Sequence, residues 1–312
     1  MTPNLAIVIP AYKSDFLSET LQSIRDQSDQ RFSLYIFDDA SPDNIKEILQ
    51  QASFDDSVTF KRFDTNVGSK SLTKQWERCI SETANEDWIW LFSDDDIMAP
   101  DCVESFYKSI EYDSDFSAYR FNTKKISATG EVIRENEFPN SFDGAGFLNQ
   151  KLSYKQESYI VEYIFSRTAY HEIGGFPNFP LAWTSDDLFC LKLAEHGRIS
   201  SIDGGCVLWR YSDSNISGST NRENAKLKLK AAAEFVDWIS DRPRIVKKLQ
   251  PKDLPLRWFV RQVRSMADQL MLFDELLAIK SVSRHDNKIW KYYFKMKKNR
   301  SKILGWLKKF SL

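Results

Sequence analysis

The chain has 312 residues, of which 42% are apolar and 14% aromatic; this content can fill a substantial core and excludes wholesale disorder. The formal net charge of −1 excludes a globally basic nucleic-acid binder. The four cysteines form no CxxC pair, and neither a signal peptide nor an apolar run of about 20 residues is visible. We therefore expect reduced thiols and a cytoplasmic protein, either soluble or peripheral on the inner face of the cell membrane.

Strands and helices alternate along the first third of the chain. Four short apolar runs bounded by turn residues predict strands at 5–10, 32–39, 57–63 and 87–92. Apolar residues at helical spacing predict the helices between them, at 14–27, 41–52 and 70–84. This alternation predicts an α/β fold with a mostly parallel sheet that is covered by helices on both faces.

The pattern is less regular after the fourth strand. The sequence predicts a strand and then a hairpin at 116–136, a polar mobile loop at 138–158, a strand at 158–166, a short helix closed by Gly174 and Gly175, a helix at 185–197, and a bent strand or strand pair at 199–211. From about Arg222 onward the chain has an almost entirely helical pattern. We therefore expect a first domain over residues 1–220 and a helical extension over residues 221–312.

Acidic residues follow two of the predicted strands. Asp38 and Asp39 end the second strand, Asp94 to Asp96 follow the fourth, and Tyr12 follows the first. Because ligands bind outside the carboxyl ends of strands in open α/β sheets, these groups are expected in one crevice. The carboxylates could be ordinary turn and helix-start residues. They could also hold a hard divalent ion such as Mg²⁺ or Mn²⁺, since the three histidines have no ligand spacing.

A second acidic pair, Asp186 and Asp187, starts the predicted helix at 185–197. Acids are common in the first turn of a helix, and a carboxylate that faces the crevice could instead act as a general base. The sequence contains no GxSxG, P-loop or dinucleotide fingerprint.

The ordered set "VIPAY", "DDASPDN", "NVG", "SDDDIMAP", "IGGF" and "SDDLFCLKLAEHG" resembles the inverting nucleotide-diphosphate-sugar glycosyltransferases of family 2. The resemblance covers about residues 4–220 and implies the GT-A (Rossmann-like) fold, with a nucleotide-sugar half at about 1–100 and an acceptor half at about 101–220. The chain departs from the family pattern at Ser93 and Ser185, where carboxylates are common.

The resemblance implies a role for particular residues. The residues implied to bind the nucleotide are Pro10, Ala11, Tyr12, Asp39, Asn66, Lys70 and Asp94. Asp95 would be the main ligand of Mn²⁺ or Mg²⁺, supported by Asp96. Either Asp186 or Asp187 would be the catalytic base, with Asp186 in the family's position. Arg210 and Ser217 would belong to a loop that closes over the diphosphate.

The function implied is an inverting, metal-assisted transfer of a hexosyl or N-acetylhexosaminyl group from a UDP-sugar to a hydroxyl of a glycan or lipid-linked acceptor. Surface polysaccharide biosynthesis would be a suitable context. Two alternatives stay open. A catalytically inactive binding or scaffold protein would explain Ser93 and Ser185. A sugar-1-phosphate nucleotidyltransferase would share the sheet, but the first strand lacks the Gly-rich and basic phosphate loop expected of one.

The C-terminal segment 284–312 is strongly basic, with ten Lys or Arg and one acidic residue. Its apolar stripe has helical spacing and consists of Ile289, Tyr293, Met296, Ile303, Leu307 and Phe310, flanked by Trp290 and Trp306. Such a helix could pack on the chain's own core or on a partner protein. It could also lie on an anionic membrane surface. Nucleic acid is a weaker interpretation, because no recognised module is present.

Overall fold

A computed structural model gives the structure of the protein and describes residues 4–52, 58–112, 115–211 and 221–298. The described residues form two compact units. The first contains residues 4–178 and 185–211, and the second contains residues 179–184 and 221–298. The boundary predicted near residue 220 falls in the gap between described ranges.

The first unit is a mixed α/β structure. Its strands are β1 (Leu5–Ala11), β2 (Phe32–Asp38), β3 (Thr59–Arg62), β4 (Trp88–Leu91), β5 (Ile97–Met98), β6 (Ala118–Arg120), β7 (Thr123–Ile126), β8 (Val132–Asn136), β9 (Ser141–Phe142), β10 (Tyr163–Ser166), β11 (Ile199–Ser201) and β12 (Val207–Arg210). Its helices are α1 (Leu17–Arg25), α2 (Ile45–Gln51), α3 (Leu72–Ser81), α4 (Cys102–Tyr112), α5 (Gly144–Lys151), α6 (Arg167–Glu172) and α7 (Ser185–Gly197), with a 3-10 turn at Ile160–Glu162.

The main sheet has the strand order β3-β2-β1-β4-β10-β6-β11-β9. The first four of these strands are parallel neighbours, and β10 is antiparallel to both β4 and β6. Strand β6 therefore runs in the direction of β4, and β11 is parallel to β6. The carboxyl ends of β1, β2, β3, β4, β6 and β11 thus share one edge of the sheet. A smaller sheet has the order β5-β12-β7-β8.

The alternation of strands and helices predicted for residues 5–92 is confirmed, and its cause is the burial of one helical face on the sheet. Helix α1 buries Leu17, Leu21 and Ile24 in the same core as Trp90 of β4. The indole nitrogen of Trp90 donates a hydrogen bond of 2.7 Å to the carbonyl of Val161, so this fully buried ring leaves no polar atom unpaired.

The mobile loop predicted at 138–158 is wrong, because this segment contains β9 and helix α5. Asp143 caps the helix by accepting a hydrogen bond of 2.9 Å from the Gly146 amide. A Cβ at Gly144 would lie 2.3 Å from Oε1 of Glu195 on α7. The glycine therefore marks a close contact between helices and does not indicate a loop.

The second unit is helical within its described residues. It contains a 3-10 turn at Pro180–Ala182, α8 (Arg222–Ser240), α9 (Pro243–Val246), α10 (Leu254–Ser265), α11 (Leu272–Ser283) and α12, which occupies 288–298. Phe235 of α8 packs edge-on against Trp258 of α10, with ring centroids 5.6 Å apart. None of the helices in the described ranges is both long enough and apolar enough to cross a membrane.

The described part of the C-terminal stripe packs into the second unit. Ile289, Tyr293 and Met296 are buried, and the Tyr293 hydroxyl donates a hydrogen bond of 2.9 Å to buried Glu275. Lys297 pairs with the same carboxylate at 2.6 Å. These contacts favour the interpretation that this part of the stripe packs on the chain's own core. The predicted stripe residues Ile303, Leu307 and Phe310, and the flanking Trp306, lie outside the described residues.

Candidate active site

Asp94 joins the ends of two neighbouring strands at the carboxyl edge of the sheet. Its Oδ2 accepts hydrogen bonds of 2.7 Å from the backbone amides of both Tyr12 and Lys13, which follow β1. Burial, and then the adjacent negative charge of Asp95, raise the pKa of Asp94 to about 6, although both amides oppose the rise. Asp94 therefore fixes the loop after β1, where the family resemblance implies a nucleotide site.

Asp95 and Asp96 face different surroundings. The ammonium of Lys13 lies 3.1 Å from Oδ2 of Asp95, whose side chain is 11% exposed. Asp96 is almost fully buried, and its Oδ1 accepts a hydrogen bond of 2.7 Å from the Arg210 amide. Burial and the charge of Asp95 raise the pKa of Asp96 well above its usual range. Asp95 is thus the more accessible acid, and Asp96 is an interior one.

Ser93 lies between these two carboxyl groups. Its Oγ is 2.8 Å from Oδ1 of Asp95 and 2.7 Å from Oδ2 of Asp96. One hydroxyl proton can be donated to only one of these oxygens, so a protonated Asp96 that donates to Ser93 satisfies both contacts. The predicted metal-supporting role of Asp96 meets a physical obstacle, because both of its oxygens are engaged inside the protein.

The donor set at this edge fits a divalent ion only with help from a ligand. Within the described ranges, no group of three or more His, Cys, Asp or Glu residues is arranged to hold a metal ion. Asp95 offers a hard carboxylate that already stabilises the cationic Lys13 side chain. Mg²⁺ or Mn²⁺ commonly takes one or two carboxylates together with phosphate oxygens and water. The residues therefore fit such an ion when it arrives with a diphosphate.

Asp39 holds the loop that contains the "NVG" motif. Its carboxylate accepts hydrogen bonds of 2.9 and 2.8 Å from the amides of Val67 and Gly68, and Arg78 pairs with it at 2.6 Å. A Cβ at position 68 would lie 2.6 Å from Oδ2 of Asp39, so only glycine allows this approach. Asn66, in the same loop, accepts a hydrogen bond of 2.7 Å from the Ser69 amide.

The other residues predicted to bind the nucleotide differ in their exposure. Ala11 is buried and its carbonyl accepts a hydrogen bond of 2.9 Å from the Asp39 amide, whereas Pro10 is partly exposed. Tyr12 is 42% exposed, although Ser41 fixes its carbonyl with a hydrogen bond of 2.6 Å. Lys70 is exposed. A fixed backbone with an exposed ring suits Tyr12 to stacking on a planar ligand.

Helix α7 brings the second acidic pair to the same edge of the sheet. The carbonyl of Gly197, the last residue of α7, accepts a hydrogen bond of 3.4 Å from the Ser117 amide, just before β6 begins. Since α7 lies against β6, its opposite end points to the carboxyl edge, where it contacts the 3-10 turn at Ile160–Glu162. Asp186 and Asp187 occupy that end.

The two acids of this pair have different partners. Asp187 is buried, and its Oδ1 lies 2.7 Å from the ammonium of Lys151 on α5. Asp186 is partly exposed, and its Oδ1 accepts a hydrogen bond of 2.9 Å from the Asp187 amide. Desolvation, and then the charge of Asp187, raise the pKa of Asp186 to about 7. A partly exposed carboxylate with a pKa near neutrality is suited to accept a proton.

The backbone just before α7 is unusual. Leu181, Ala182 and Thr184 have φ values of 57°, 52° and 60°, in the left-handed region that residues with a Cβ rarely adopt. Each such residue costs roughly 1 kcal/mol or more, and such strain is concentrated at functional sites. The strained segment therefore agrees with a functional role for the start of α7.

Arg210 has a structural position that differs from the predicted one. It is almost fully buried, and its guanidinium donates hydrogen bonds of 2.9 Å to the Asp95 carbonyl and 3.1 Å to the Ala128 carbonyl. It also pairs with Glu19 at 2.7 Å. The guanidinium is thus engaged within the protein behind the acidic residues, so a loop role over a diphosphate does not fit it. Ser217, predicted for the same loop, lies outside the described residues.

Sequence comparison assigns the family. The family model described as "Glycosyl transferase family 2" matches residues 6–168, more than half of the chain. The chain belongs to glycosyl transferase family 2. As a member of this family it is a glycosyltransferase that uses a nucleotide-sugar, and the matched segment includes β1 to β4 with their acidic ends. No curated protein matches the sequence.

Solved structures of S. aureus TarS share the fold of this family 2 glycosyltransferase. The complex of TarS 1–349 with UDP-GlcNAc has a TM-score of 0.64 at 15% identity and covers 94% of this chain and 92% of that chain. The complex of TarS 1–349 with UDP has a TM-score of 0.55 at 16% identity and covers 94% and 91%. At these identities the likeness establishes the GT-A fold, which confirms the predicted fold class.

Three basic residues of this family 2 glycosyltransferase were missed in the sequence: Lys13, Arg78 and Lys151. Lys13 directly follows Tyr12, so a cation at the end of the first strand was a usable signal. Arg78 lies on helix α3 and meets Asp39 only through the fold. Lys151 lies in the segment interpreted as a loop, and nothing in its local sequence pairs it with Asp187.

Proposed function

We propose that the protein is an inverting glycosyltransferase that moves a sugar from a UDP-sugar to a hydroxyl of a glycan or lipid-linked acceptor. The observation that carries the proposal is the difference between Asp186 and Asp187. One is partly exposed, with a pKa raised to about 7, and the other is paired with Lys151. TarS structures of the same fold are complexes with UDP and UDP-GlcNAc, which supports UDP as the nucleotide.

The proposed reaction needs one protein base. The acceptor oxygen attacks the anomeric carbon from the face opposite the diphosphate, and the bond from that carbon to the phosphate oxygen breaks. The electron pair leaves with UDP, and the configuration inverts. Asp186 takes the acceptor proton, since a base works best with a pKa near the operating pH. No second carboxylate has to protonate the leaving group, in contrast to a glycosidase.

The donor nucleotide would lie at the ends of β1, β2 and β4. Tyr12 would stack on the base and Asp94 would lie near the ribose, while Asp39 holds the 66–68 loop beside the base. Asp95 would hold Mg²⁺ or Mn²⁺, which when bound supplies positive charge to the departing diphosphate. In the proposed site, the buried residues Asp96 and Arg210 hold the end of β4 in place from the interior of the protein.

The same acidic pair argues against the alternative functions. A sugar-1-phosphate nucleotidyltransferase uses a phosphate oxygen as its nucleophile and has no hydroxyl proton for Asp186 to remove. A scaffold protein has no need for a carboxylate whose pKa is raised to about 7 and which follows a strained stretch of backbone. We therefore favour glycosyl transfer over both of these alternative functions.

Attachment to an anionic membrane would suit a lipid-linked acceptor. In the described part of α12, Lys288, Lys291, Lys295 and Lys298 are exposed at helical spacing. Basic residues near an anionic surface contribute about 1 kcal/mol each. In co-sedimentation with vesicles that contain phosphatidylglycerol, the protein should pellet with the vesicles at low salt and stay in the supernatant at high salt. Equal binding to neutral phosphatidylcholine vesicles, or none to either, would remove this part of the proposal.

The experiment that tests the donor site is a thermal-shift screen of UDP, GDP, CDP and their common sugars, with and without Mn²⁺. A ligand that binds only the folded state raises the melting temperature. We expect a shift with UDP compounds that depends on Mn²⁺ and is lost in Asp95→Ala. No shift with any nucleotide would overturn the donor site.

The base is tested with Asp186→Asn, which preserves shape and removes the proton acceptor. The variant should keep the UDP-sugar thermal shift and lose nearly all release of UDP, measured with water or a sugar alcohol as acceptor. Asp187→Asn is the matched control and should retain turnover. Equal turnover in wild type and Asp186→Asn would contradict the assignment of the base. An absence of turnover in all three proteins, with donor bound, would favour the scaffold.

A further inference from the structure

Lys151, the last residue of α5, lies beside the acidic start of α7. Its ammonium is 2.7 Å from Oδ1 of Asp187 and donates a hydrogen bond of 3.2 Å to the Ser158 carbonyl. Lys151 is 19% exposed at its side chain and Asp187 is 7% exposed, so the pair is shielded from water and weakly screened. The Asp187 amide donates to Asp186, which links the three residues.

Charged groups reach this pair from several neighbouring elements. Glu162 comes from the 3-10 turn and Arg120 from β6; the two are fully buried and pair at 2.8 Å. Other titratable groups lie on the neighbouring elements. Cys190 on α7 and Tyr163 on β10 are buried. Glu172 of α6 pairs with His196 near the far end of α7, Arg167 pairs with Glu86, and His171 lines a pocket beside α3.

The cluster is balanced in charge in only one protonation state of Asp186. Lys151 and Arg120 supply two positive charges, while Asp187 and Glu162 supply two negative charges. An ionised Asp186 therefore adds one uncompensated negative charge, and a proton on Asp186 removes it. Proton uptake in this cluster falls on Asp186, because Lys151 lies against Asp187 and Arg120 lies against Glu162.

We propose that Lys151 is a positioning residue for the catalytic base: it holds Asp187 as its fixed counter-ion, so that Asp186 is the carboxylate of the pair that takes the acceptor proton. The inference rests on the proposed function, because it concerns the base of the same reaction. It extends that function by explaining why two adjacent carboxylates do not share one proton. Two like charges without a cation between them would do so, and neither would then be a fully available base.

The sign of the effect follows from electrostatics. The Lys151 charge favours the ionised form of Asp186, so its removal should raise the pKa of Asp186 further. The Asp187 charge disfavours that form, so its removal should lower the pKa. A nearby charge in a shielded site commonly shifts a pKa by about 1–3 units. Because the base acts when ionised, these changes move the acid limb of the rate profile in opposite directions.

The test measures kcat/KM against pH for Lys151→Met, Asp187→Asn and the double variant, with the UDP-sugar identified in the donor screen. Lys151→Met should move the acid limb up by about one unit or more, which is about a tenfold loss at low pH that closes at high pH. Asp187→Asn should move it down, and the double variant should return close to wild type. Lys155→Met, an exposed lysine on the same segment, is the matched control and should not move it.

A uniform loss of rate in Lys151→Met with an unmoved acid limb would mean a merely structural role and would overturn the inference. If Lys151→Met does not fold, Asp187→Asn and the double variant carry the test. An unmoved acid limb in Asp187→Asn, or a limb moved down equally in both variants, would overturn the inference. Carbon-13 NMR of labelled aspartate, compared with the matching Asp186→Asn variants, gives the same pKa without turnover. Shifted NMR pKa values together with full activity of Asp186→Asn would instead sink the proposed function.

Discussion

The raised pKa of Asp94 predicts that the contribution of this residue to stability increases as the pH falls from 8 to 5. Asp94 is 7% exposed, and its pKa rises from an ordinary value of 3.8 to about 6. The folded state therefore binds a proton that the unfolded state releases between these two values, so stability is lost as the pH rises through 6. The full effect is about 3 kcal/mol, of which about 1.4 kcal/mol falls between pH 8 and pH 5.

The substitution Asp94→Asn isolates this effect. Both backbone amides donate to one oxygen of Asp94, so the single amide oxygen of asparagine can replace it. We expect the variant to gain stability relative to wild type at pH 8, and this gain to shrink by about 1.4 kcal/mol at pH 5. Urea denaturation in EDTA at four pH values measures the difference, provided that the m-values agree.

The control for this prediction is Asp29→Asn. Hydrogen bonding from Arg31 lowers the pKa of Asp29, so its contribution to stability is lost only as the pH falls below the usual carboxyl range. The difference between Asp29→Asn and wild type should therefore be flat from pH 8 to pH 5. An equally flat difference for Asp94→Asn would refute the claim that burial disfavours the ionised form of Asp94.

Three further substitutions test structural assignments. Arg210→Met should lower the free energy of unfolding by about 3 kcal/mol in urea melts, because buried charged hydrogen bonds are lost; reduced nucleotide affinity at unchanged stability would contradict this. Gly68→Ala should cost about 1–3 kcal/mol and weaken the UDP thermal shift, since the new Cβ meets Asp39. Lys297→Met should cost about 1–3 kcal/mol in thermal melts, because it removes the ion-pair partner of buried Glu275, and an unchanged melting temperature would argue against that packing.

Much of the first unit was predictable from local sequence. Strand and helix periods are local properties, so β1 to β4 and α1 to α3 follow from short apolar patterns. The clustering of Tyr12, Asp39 and Asp94 at one edge follows from the parallel order of the strands, in which Ala11 pairs with Asp38. These inferences need only the pattern of elements and a general rule for parallel sheets, and they need no particular long-range side-chain contact.

The roles of individual acids depended on distant partners. Glu19 and Arg210 are separated by 191 positions, and nothing local assigns Arg210 to the interior. Asp186 and Asp187 are equivalent as first-turn acids until Lys151 approaches one of them. The segment 138–158 was predicted as a loop because it is polar and contains two glycines. One of them, Gly144, in fact allows close packing against α7, a property that sequence does not distinguish from flexibility.

The two acidic clusters follow one physical rule. Neighbouring carboxyl groups at the edge of a core cannot all stay ionised when all of them are removed from water. In the first cluster Asp96 is buried between Ser93 and the Arg210 amide, while Asp95 keeps access to solvent. In the second cluster Asp187 is buried against Lys151, while Asp186 keeps access to solvent. Neutral substitutions at the inner members should change stability and the pKa of their neighbours. The same changes at the outer members should abolish metal-dependent donor binding or proton transfer with little effect on folding.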